Sequence, residues 1–285
     1  MLPLVLVAAV VGISVSGPLA RLSDAPPLAI AVWRLVLALA VVACFVIANG
    51  SWREWRTLST RDVGIALGAG FLLAVHFWSW ISSLALTSVA ASVVLVNLHP
   101  VVIVAGSALW LGERPSKRQL VGIAVALVGA TIIALADAGQ GSFFRDSVGN
   151  ALALLGAFTV GLYYLAGRSL RQRLSLWPYV GLVYGACLLS LLLFAAVQGT
   201  QLWPYPRREW FLFAGIALGP MLLGHTGFNW ALKYVPAYIV SLVVLIEPVG
   251  AAVLAAIIPA ISEVPSIGVV IGGSVVLLGL ILGRR

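Results

Sequence analysis

The chain has 285 residues, of which 62% are hydrophobic and only 9% are charged, and its mean hydropathy is +1.10. A soluble domain carries about 25% charged residues, so this composition excludes a soluble protein and indicates a polytopic membrane protein. The two cysteines, Cys44 and Cys187, lie inside apolar runs without metal-type spacing, so we interpret both as small hydrophobic side chains.

Apolar segments of about 20 residues recur along the chain, which is the length a helix needs to cross about 30 Å of hydrocarbon. We predict ten membrane-spanning helices and no strands. The first is kept as a span rather than a cleaved signal, because it has neither a basic n-region nor an A-x-A site. In chain order the segments lie near residues 2–20, 28–48, 62–84, 88–111, 116–136, 147–169, 177–198, 209–232, 237–260 and 264–283.

The basic residues are distributed unevenly between the two predicted faces of the membrane. The face that holds the N-terminus carries 12 of them: Arg53, Arg56, Arg61, Arg114, Lys117, Arg118, Arg168, Arg171, Arg173, Lys233, Arg284 and Arg285. The opposite face carries 4: Arg21, Arg145, Arg207 and Arg208. By the positive-inside rule, both termini are predicted in the cytoplasm. We also predict that the protein lies in a cell inner membrane. The net charge of +8 is then a topology signal, and nucleic-acid binding is not expected.

The two halves of the chain repeat each other. "SLALTSVAASVVLVNLHPV" (83–101) aligns without a gap with "ALKYVPAYIVSLVVLIEPV" (231–249), which places Pro100 opposite Pro248 and His99 opposite Glu247. Further on, four positions match at identical spacing: Glu113, Pro115, Gly122 and Gly129 with Glu263, Pro265, Gly272 and Gly279. We therefore predict a first repeat at 1–137, a connection at 138–146 and a second repeat at 147–285. Five spans is an odd number, so the second repeat is inverted relative to the first, as in many transporters.

These segments carry a family resemblance. "LHPVV…LWLGERPSKRQLVGIAVALVGATII" and its echo "IEPVGAAVLAA…SEVPSIGVVIGGSVVLLGLIL" resemble the EamA-like branch of the drug/metabolite transporter superfamily, and "AVHFWSWISS" is similar to YddG-type amino-acid exporters. The second copy departs from the family pattern by reading "IIPAISE" at its last turn. The resemblance implies ten helices in two inverted repeats around a central cavity that opens alternately to each side, and export of small metabolites.

Each predicted repeat places a proline inside a span. Pro100 and Pro248 remove a backbone donor and are expected to free or strain the carbonyls of Val96 and Val244. In a membrane such breaks persist where the backbone faces protein or a wet cavity. Paired breaks in two inverted halves favour a gating hinge or a binding site, and the alternative is a simple kink used for packing.

Ionisable residues within spans are costly, at roughly 2.5 to 3.5 kcal/mol for an acid or arginine near the centre of the bilayer. Glu247 is interpreted as a protonation switch, an acceptor for a substrate ammonium, or a structural partner of Arg34 or of a backbone amide. Arg34 lies near the outer end of its span, so we interpret it as structural, with a side chain that snorkels towards water.

The remaining polar residues form stripes. His76 and Trp80 recur at i and i+4, as do His225 and Asn229, and Tyr163 occupies the sixth span. Trp80 and Tyr163 either stack on an aromatic substrate or serve packing. The predicted substrate-binding residues around the cavity are His76, Trp80, Asn97, His99, Tyr163, His225, Asn229 and Glu247.

The sequence contains none of the common motifs for zinc binding, phosphate binding or nucleophilic catalysis. The chain has no zinc-type His or Cys spacing, no phosphate-binding loop and no nucleophile elbow, so we predict no metal, no cofactor and no catalytic residue. The expected partners are a small-molecule substrate and the lipid bilayer, and a monomer is compatible with the sequence. We predict an amino-acid exporter with broad or aromatic-leaning specificity. The alternatives are a transporter of a nucleoside, a sugar derivative or an organic cation, and a membrane-embedded enzyme on lipid-linked substrates.

Overall fold

The computed structural model of the chain describes residues 1–87, 92, 95–137, 147–257 and 266–283, and all regular secondary structure in these ranges is helical. The α-helices are α1 (Leu2–Ser14), α2 (Ser16–Arg21), α3 (Pro27–Ala48), α4 (Thr60–Leu86), α5 (His99–Gly106), α6 (Lys117–Asp137), α7 (Ser147–Leu170), α8 (Leu176–Val197), α9 (Arg207–Ile216), α10 (Thr226–Ala231), α11 (Ala237–Val244), α12 (Glu247–Ile257) and α13 (Ile267–Gly283). A 3₁₀ helix forms at Ser51–Thr57, and π-helical segments form at Ser107–Leu111 and Ala217–His225. The predicted connection 138–146, most of the "IIPAISE" turn, and Arg284 and Arg285 lie outside the described residues.

Six helices within the described ranges are long and apolar enough to cross a membrane. They are Leu2–Ala20, Pro27–Ala48, Thr60–Leu86, Ser147–Leu170, Leu176–Val197 and Arg207–Ala231. Shorter apolar helices lie at His99–Leu111, Ala237–Ala251 and Ile267–Gly283. These apolar helices indicate a multi-pass membrane protein, and the regular secondary structure of its described residues is helical.

The helices of the two halves interlock. α4 packs along α7 and α8, while α1 packs against the π-helical segment Ala217–His225 and α10. In the alignment of the halves, α4 corresponds to the helix built from α9, that π-helical segment and α10, and α1 corresponds to α7. The third span of each half thus packs on the first span of the other half, and this pattern places α4 and the α9–α10 helix on the inner side of the bundle.

α6 and α13 cross at a distance that only glycine permits. A Cβ on Gly122 would lie 2.7 Å from the carbonyl oxygen of Gly279, and a Cβ on Gly129 would lie 2.7 Å from the carbonyl oxygen of Gly272. Small residues of this kind let membrane helices approach backbone to backbone. The start of α6 meets the end of α13, so the two helices run antiparallel. These four glycines are the ones that the alignment of the halves matches.

Both proline-bearing segments are broken two residues before the proline. Leu95 and Val96 are helical, and a turn follows at residues 97–98 before α5 begins. α11 ends at Val244, and a turn at residues 245–246 precedes α12. The Leu98 N–H donates to the carbonyl of Leu95 at 3.2 Å, and the Ile246 N–H donates to that of Val243 at 3.1 Å. These two hydrogen bonds lie 148 residues apart, so the same break occurs in each half.

The sequence predicted a proline in the interior of each of these helices. In the structure, each proline lies in the first turn of its helix. Pro100 and Pro248 are each the second residue of a helix, where a missing N–H leaves no intrahelical hydrogen bond unmade. The carbonyl of Val96 accepts a hydrogen bond from Nδ1 of His99 at 3.1 Å. Pro100 therefore begins a helix instead of kinking one, and the Val96 carbonyl, to which Pro100 cannot donate, is bonded by the His99 side chain.

Candidate substrate site

The stripe on α4 faces the protein interior. The rings of His76 and Trp80 stack with centroids 6.2 Å apart and planes within 3°. Nδ1 of His76 lies 2.9 Å from the carbonyl oxygen of Gly156 on α7, and since a carbonyl only accepts, this nitrogen carries the proton. In the neutral ring Nε2 then carries a lone pair and can act only as an acceptor. Nε1 of Trp80 is buried and has no hydrogen-bond partner among the described residues.

The second stripe meets the first. His225 ends the π-helical segment that contains Pro220, a residue that cannot donate a backbone hydrogen bond and so favours a widened turn. The His225 ring lies 6.4 Å from that of His76 and 5.2 Å from that of Phe77. It also lies 6.3 Å from the ring of Tyr163 on α7. The aromatic side chains of three helices therefore converge at one point.

A buried hydrogen-bond network supports this point. Nδ2 of Asn229 donates to the hydroxyl of Tyr163 at 2.5 Å and to that of Tyr184 at 3.4 Å. The Tyr184 hydroxyl lies 2.9 Å from Oγ1 of Thr226. Asn229, Tyr163 and Tyr184 are fully buried, and Oδ1 of Asn229 accepts no hydrogen bond from the described residues. The network fixes three helices and leaves one amide oxygen available.

The proline-bearing helices reach the same region. The His99 ring lies 6.4 Å from that of Tyr164, which is 5.2 Å from that of Tyr163. Nε2 of His99 is buried without a partner among the described residues, and Asn97 is buried in the turn just before it. Glu247, the first residue of α12, is partly buried and within electrostatic range of Tyr164.

The structure thus brings the predicted substrate residues into one cluster, whose rings run from Trp80 through His76, His225, Tyr163 and Tyr164 to His99. We call this the central cluster. It includes Asn229, which donates to Tyr163; Glu247 is within electrostatic range of Tyr164, and Asn97 lies two residues before His99. Their role in binding substrate stays a prediction. No group of three or more His, Cys, Asp or Glu close enough to hold a metal ion occurs in the described ranges.

The interpretation of Arg34 as a snorkelling residue was wrong. Its side chain is 1% exposed, and its guanidinium carbon lies 4.0 Å from the centroid of the Phe77 ring. Nε and Nη2 have no hydrogen-bond partners, and within the described part of the chain the guanidinium forms no direct ion pair with Glu247, although the two charges are within electrostatic range. The sequence pattern did not single out Phe77 and Tyr184, which neighbour the central cluster.

A second polar network lies on the face with the excess of basic residues. Nη2 and Nε of Arg168, near the end of α7, contact one carboxylate oxygen of Glu113 at 2.7 and 2.8 Å. Nη1 of Arg168 donates to the carbonyl of Leu232 at 2.6 Å and to that of Lys233 at 3.2 Å. This side chain ties three chain segments together. We call these contacts the Arg168 network.

Comparison with known proteins connects this arrangement to a family. The profile of the EamA-like transporter family matches residues 2–135 and again 147–283. A protein of Streptantibioticus cattleyicolor, described as a probable terminal-alkyne amino-acid exporter, is 28% identical over 198 residues, which are 67% of this chain and 62% of that protein. An uncharacterized transporter of Archaeoglobus fulgidus is 27% identical over 147 residues, 52% of this chain and 49% of that protein.

The matched region spans less than two thirds of the length of either relative. A crystal structure aligns with 98% of this chain and 94% of its own chain at a TM-score of 0.82 and 19% identity, which shows a shared fold. The two family matches cover nearly the whole sequence and confirm the resemblance drawn from its motifs. The chain therefore belongs to the EamA-like transporter family.

Proposed function

We propose that the protein exports amino acids, with broad or aromatic-leaning specificity, from the cytoplasm across a cell inner membrane. In this proposal ten helices form two inverted five-helix repeats, 1–137 and 147–285, around a central cavity, and both termini are cytoplasmic. The antiparallel crossing of α6 and α13 and the interlocking of the halves support the inversion. The excess of basic residues on one face supports the orientation.

One observation carries the substrate class: a buried cluster of aromatic and ionisable side chains at the point where the two broken helices meet α4, α7 and α10. Glu247 supplies a carboxylate for a substrate ammonium. Trp80 and Tyr163 supply rings for an apolar or aromatic side chain. The relative described as an amino-acid exporter points to the same class.

Alternating access is the mechanism that we propose for export. The breaks before Pro100 and Pro248 let half-helices reorient without loss of an intrahelical hydrogen bond, which suits them as hinges. The Arg168 network would hold the cytoplasmic face shut while the cavity opens to the other side. The small-molecule substrate and the lipid bilayer are the partners, and the protein acts as a monomer.

Counterflow in liposomes tests this function. Purified protein is reconstituted into liposomes loaded with an unlabelled amino acid, and uptake of the same labelled amino acid is measured beside empty liposomes. A nucleoside, a sugar phosphate and an organic cation are assayed in parallel. We expect amino-acid counterflow that is fastest for large side chains. Counterflow of one of the other solutes with none of any amino acid would contradict the proposal and identify the rival class.

A further inference from the structure

Two arginines are buried to the same degree but differ in their hydrogen bonds. Arg34 is 1% exposed and Arg171 is 2% exposed. Nε of Arg171 donates to the carbonyl of Asn229 at 3.0 Å, and its Nη1 donates to the carbonyl of Leu174. Nε and Nη2 of Arg34 have no partner among the described residues. Arg171 is satisfied by backbone, whereas Arg34 is not.

Burying a guanidinium with two unpartnered nitrogens is costly, because the desolvation of a charge is compensated only by paired, hydrogen-bonded neighbours. Stacking on Phe77 offsets part of this cost but uses the face of the guanidinium and leaves its edge open. Arg34 also lies about 10 Å along α3 from Pro27, the first residue of that helix, which places it well inside the span.

The surroundings of Arg34 are those of the central cluster. The Phe77 ring that lies under its guanidinium is 5.3 Å from the ring of His76 and 5.2 Å from that of His225. Arg34 is also within electrostatic range of both histidines and of Glu247. A cation and an acid thus flank the same cluster without a direct ion pair between them in the described structure.

We propose that Arg34 binds the carboxylate of the transported amino acid and so restricts the substrates to zwitterions. This inference rests on the proposed function. Nε and Nη2 form one edge of the guanidinium, and this edge makes two parallel hydrogen bonds to a carboxylate. Glu247 takes the ammonium group, and the aromatic rings between them contact the side chain. The separation of Arg34 from Glu247 leaves each charge available for the opposite charge of one small molecule.

The consequence is discrimination against molecules that lack a carboxylate. An amine, an ester or an amide with the same side chain leaves the edge of Arg34 unpaired, and hydrogen bonds to a charged group correspond to about 10- to 100-fold in affinity. Organic cations are therefore poor substrates, although Glu247 alone would attract them.

The test is counterflow of phenylalanine against phenethylamine and phenylalanine methyl ester, in wild type, Arg34→Lys, Arg34→Gln and Arg171→Gln. Wild type is expected to prefer phenylalanine by about 10- to 100-fold. Arg34→Gln should abolish this preference, and Arg34→Lys, which keeps the charge but loses the two-pronged edge, should reduce it by about tenfold. Arg171→Gln should lower the melting temperature without changing the preference.

Two further results separate failure of this inference from failure of the proposed function. If wild type transports no amino acid at all, the proposed function is overturned. If wild type transports phenylalanine but Arg34→Gln keeps the wild-type preference, only the role of Arg34 is overturned. If Arg34→Gln does not fold, the melting temperature of wild type is measured with each ligand instead. Phenylalanine is expected to raise the melting temperature more than phenethylamine does. Equal shifts would overturn the role of Arg34.

Discussion

Replacing Arg168 with glutamine tests whether the Arg168 network holds the basic face closed. The arginine makes two contacts with Glu113 and donates to the carbonyls of Leu232 and Lys233. Glutamine is shorter and uncharged, so it leaves these acceptors without their common donor. The closed state of this face is destabilised relative to the open state, while the rest of the fold keeps its contacts.

The size of the effect follows from the geometry and exposure of the pair. Exposed ion pairs contribute about 0.2 to 1 kcal/mol, and breaking a buried pair costs about 3 to 5 kcal/mol. Arg168 and Glu113 are 16% and 23% exposed, between these limits, so we expect about 2 kcal/mol. That value changes the ratio of closed to open protein by about 30-fold.

Cys187 provides the readout. It is fully buried and packs near Gly70 of α4, so a thiol reagent reaches it only when the helices around it separate. In a Cys44→Ser background it is the one remaining native thiol. Arg168→Gln is expected to raise its modification rate, for reagent added on the basic face, by up to about 30-fold.

A matched control uses the more exposed ion pair of the same face. Arg173 is 68% exposed and lies 3.0 Å from Asp62, so Arg173→Gln should leave the modification rate of Cys187 unchanged. If Arg168→Gln is modified at the wild-type rate, or if Arg173→Gln has the same effect, the Arg168 network does not close this face.

Three further substitutions test other parts of the structure. Glu247→Gln should abolish amino-acid counterflow at an unchanged melting temperature if Glu247 binds the ammonium; a lower melting temperature that neutralising Arg34 restores would mark it as a structural partner instead. Pro100→Ala should slow transport at normal expression, because alanine allows one helix to continue through the turn, and a wild-type rate would exclude the hinge. Gly279→Val places a Cβ 2.6 Å from the carbonyl of Gly122 and should cost about 1 to 3 kcal/mol, measured as a lower melting temperature, whereas Gly64→Val, with open space around it, should not.

Helix positions follow from the sequence because a bilayer imposes long apolar helices with satisfied backbones. The predicted span 28–48 is observed as Pro27–Ala48, and 177–198 as Leu176–Val197. The stripes on α4 and on the α9–α10 helix were predictable for the same reason, since residues at i and i+4 share a face whatever lies opposite.

The environment of Arg34 was not predictable in this way. A long side chain snorkels only if it can reach water more readily than it can pack on a neighbouring helix. For Arg34 this depends on the position of Phe77, which lies on another helix. Similarly, the sequence rule for proline describes an uninterrupted helix. The turn at residues 97–98 removes that condition, so Pro100 begins a helix instead of bending one.

The crossing of α6 and α13 has the property of a symmetric dimer interface. In the alignment of the halves, Gly122 is equivalent to Gly272 and Gly129 to Gly279. If each residue is replaced by its equivalent, the contact of Gly122 with Gly279 becomes the contact of Gly272 with Gly129. Both contacts are present in the structure. Such an interface is self-complementary, because each side presents the same patch that it receives. Two separate copies of one half, inserted in opposite orientations, would therefore present these same glycine contacts to each other.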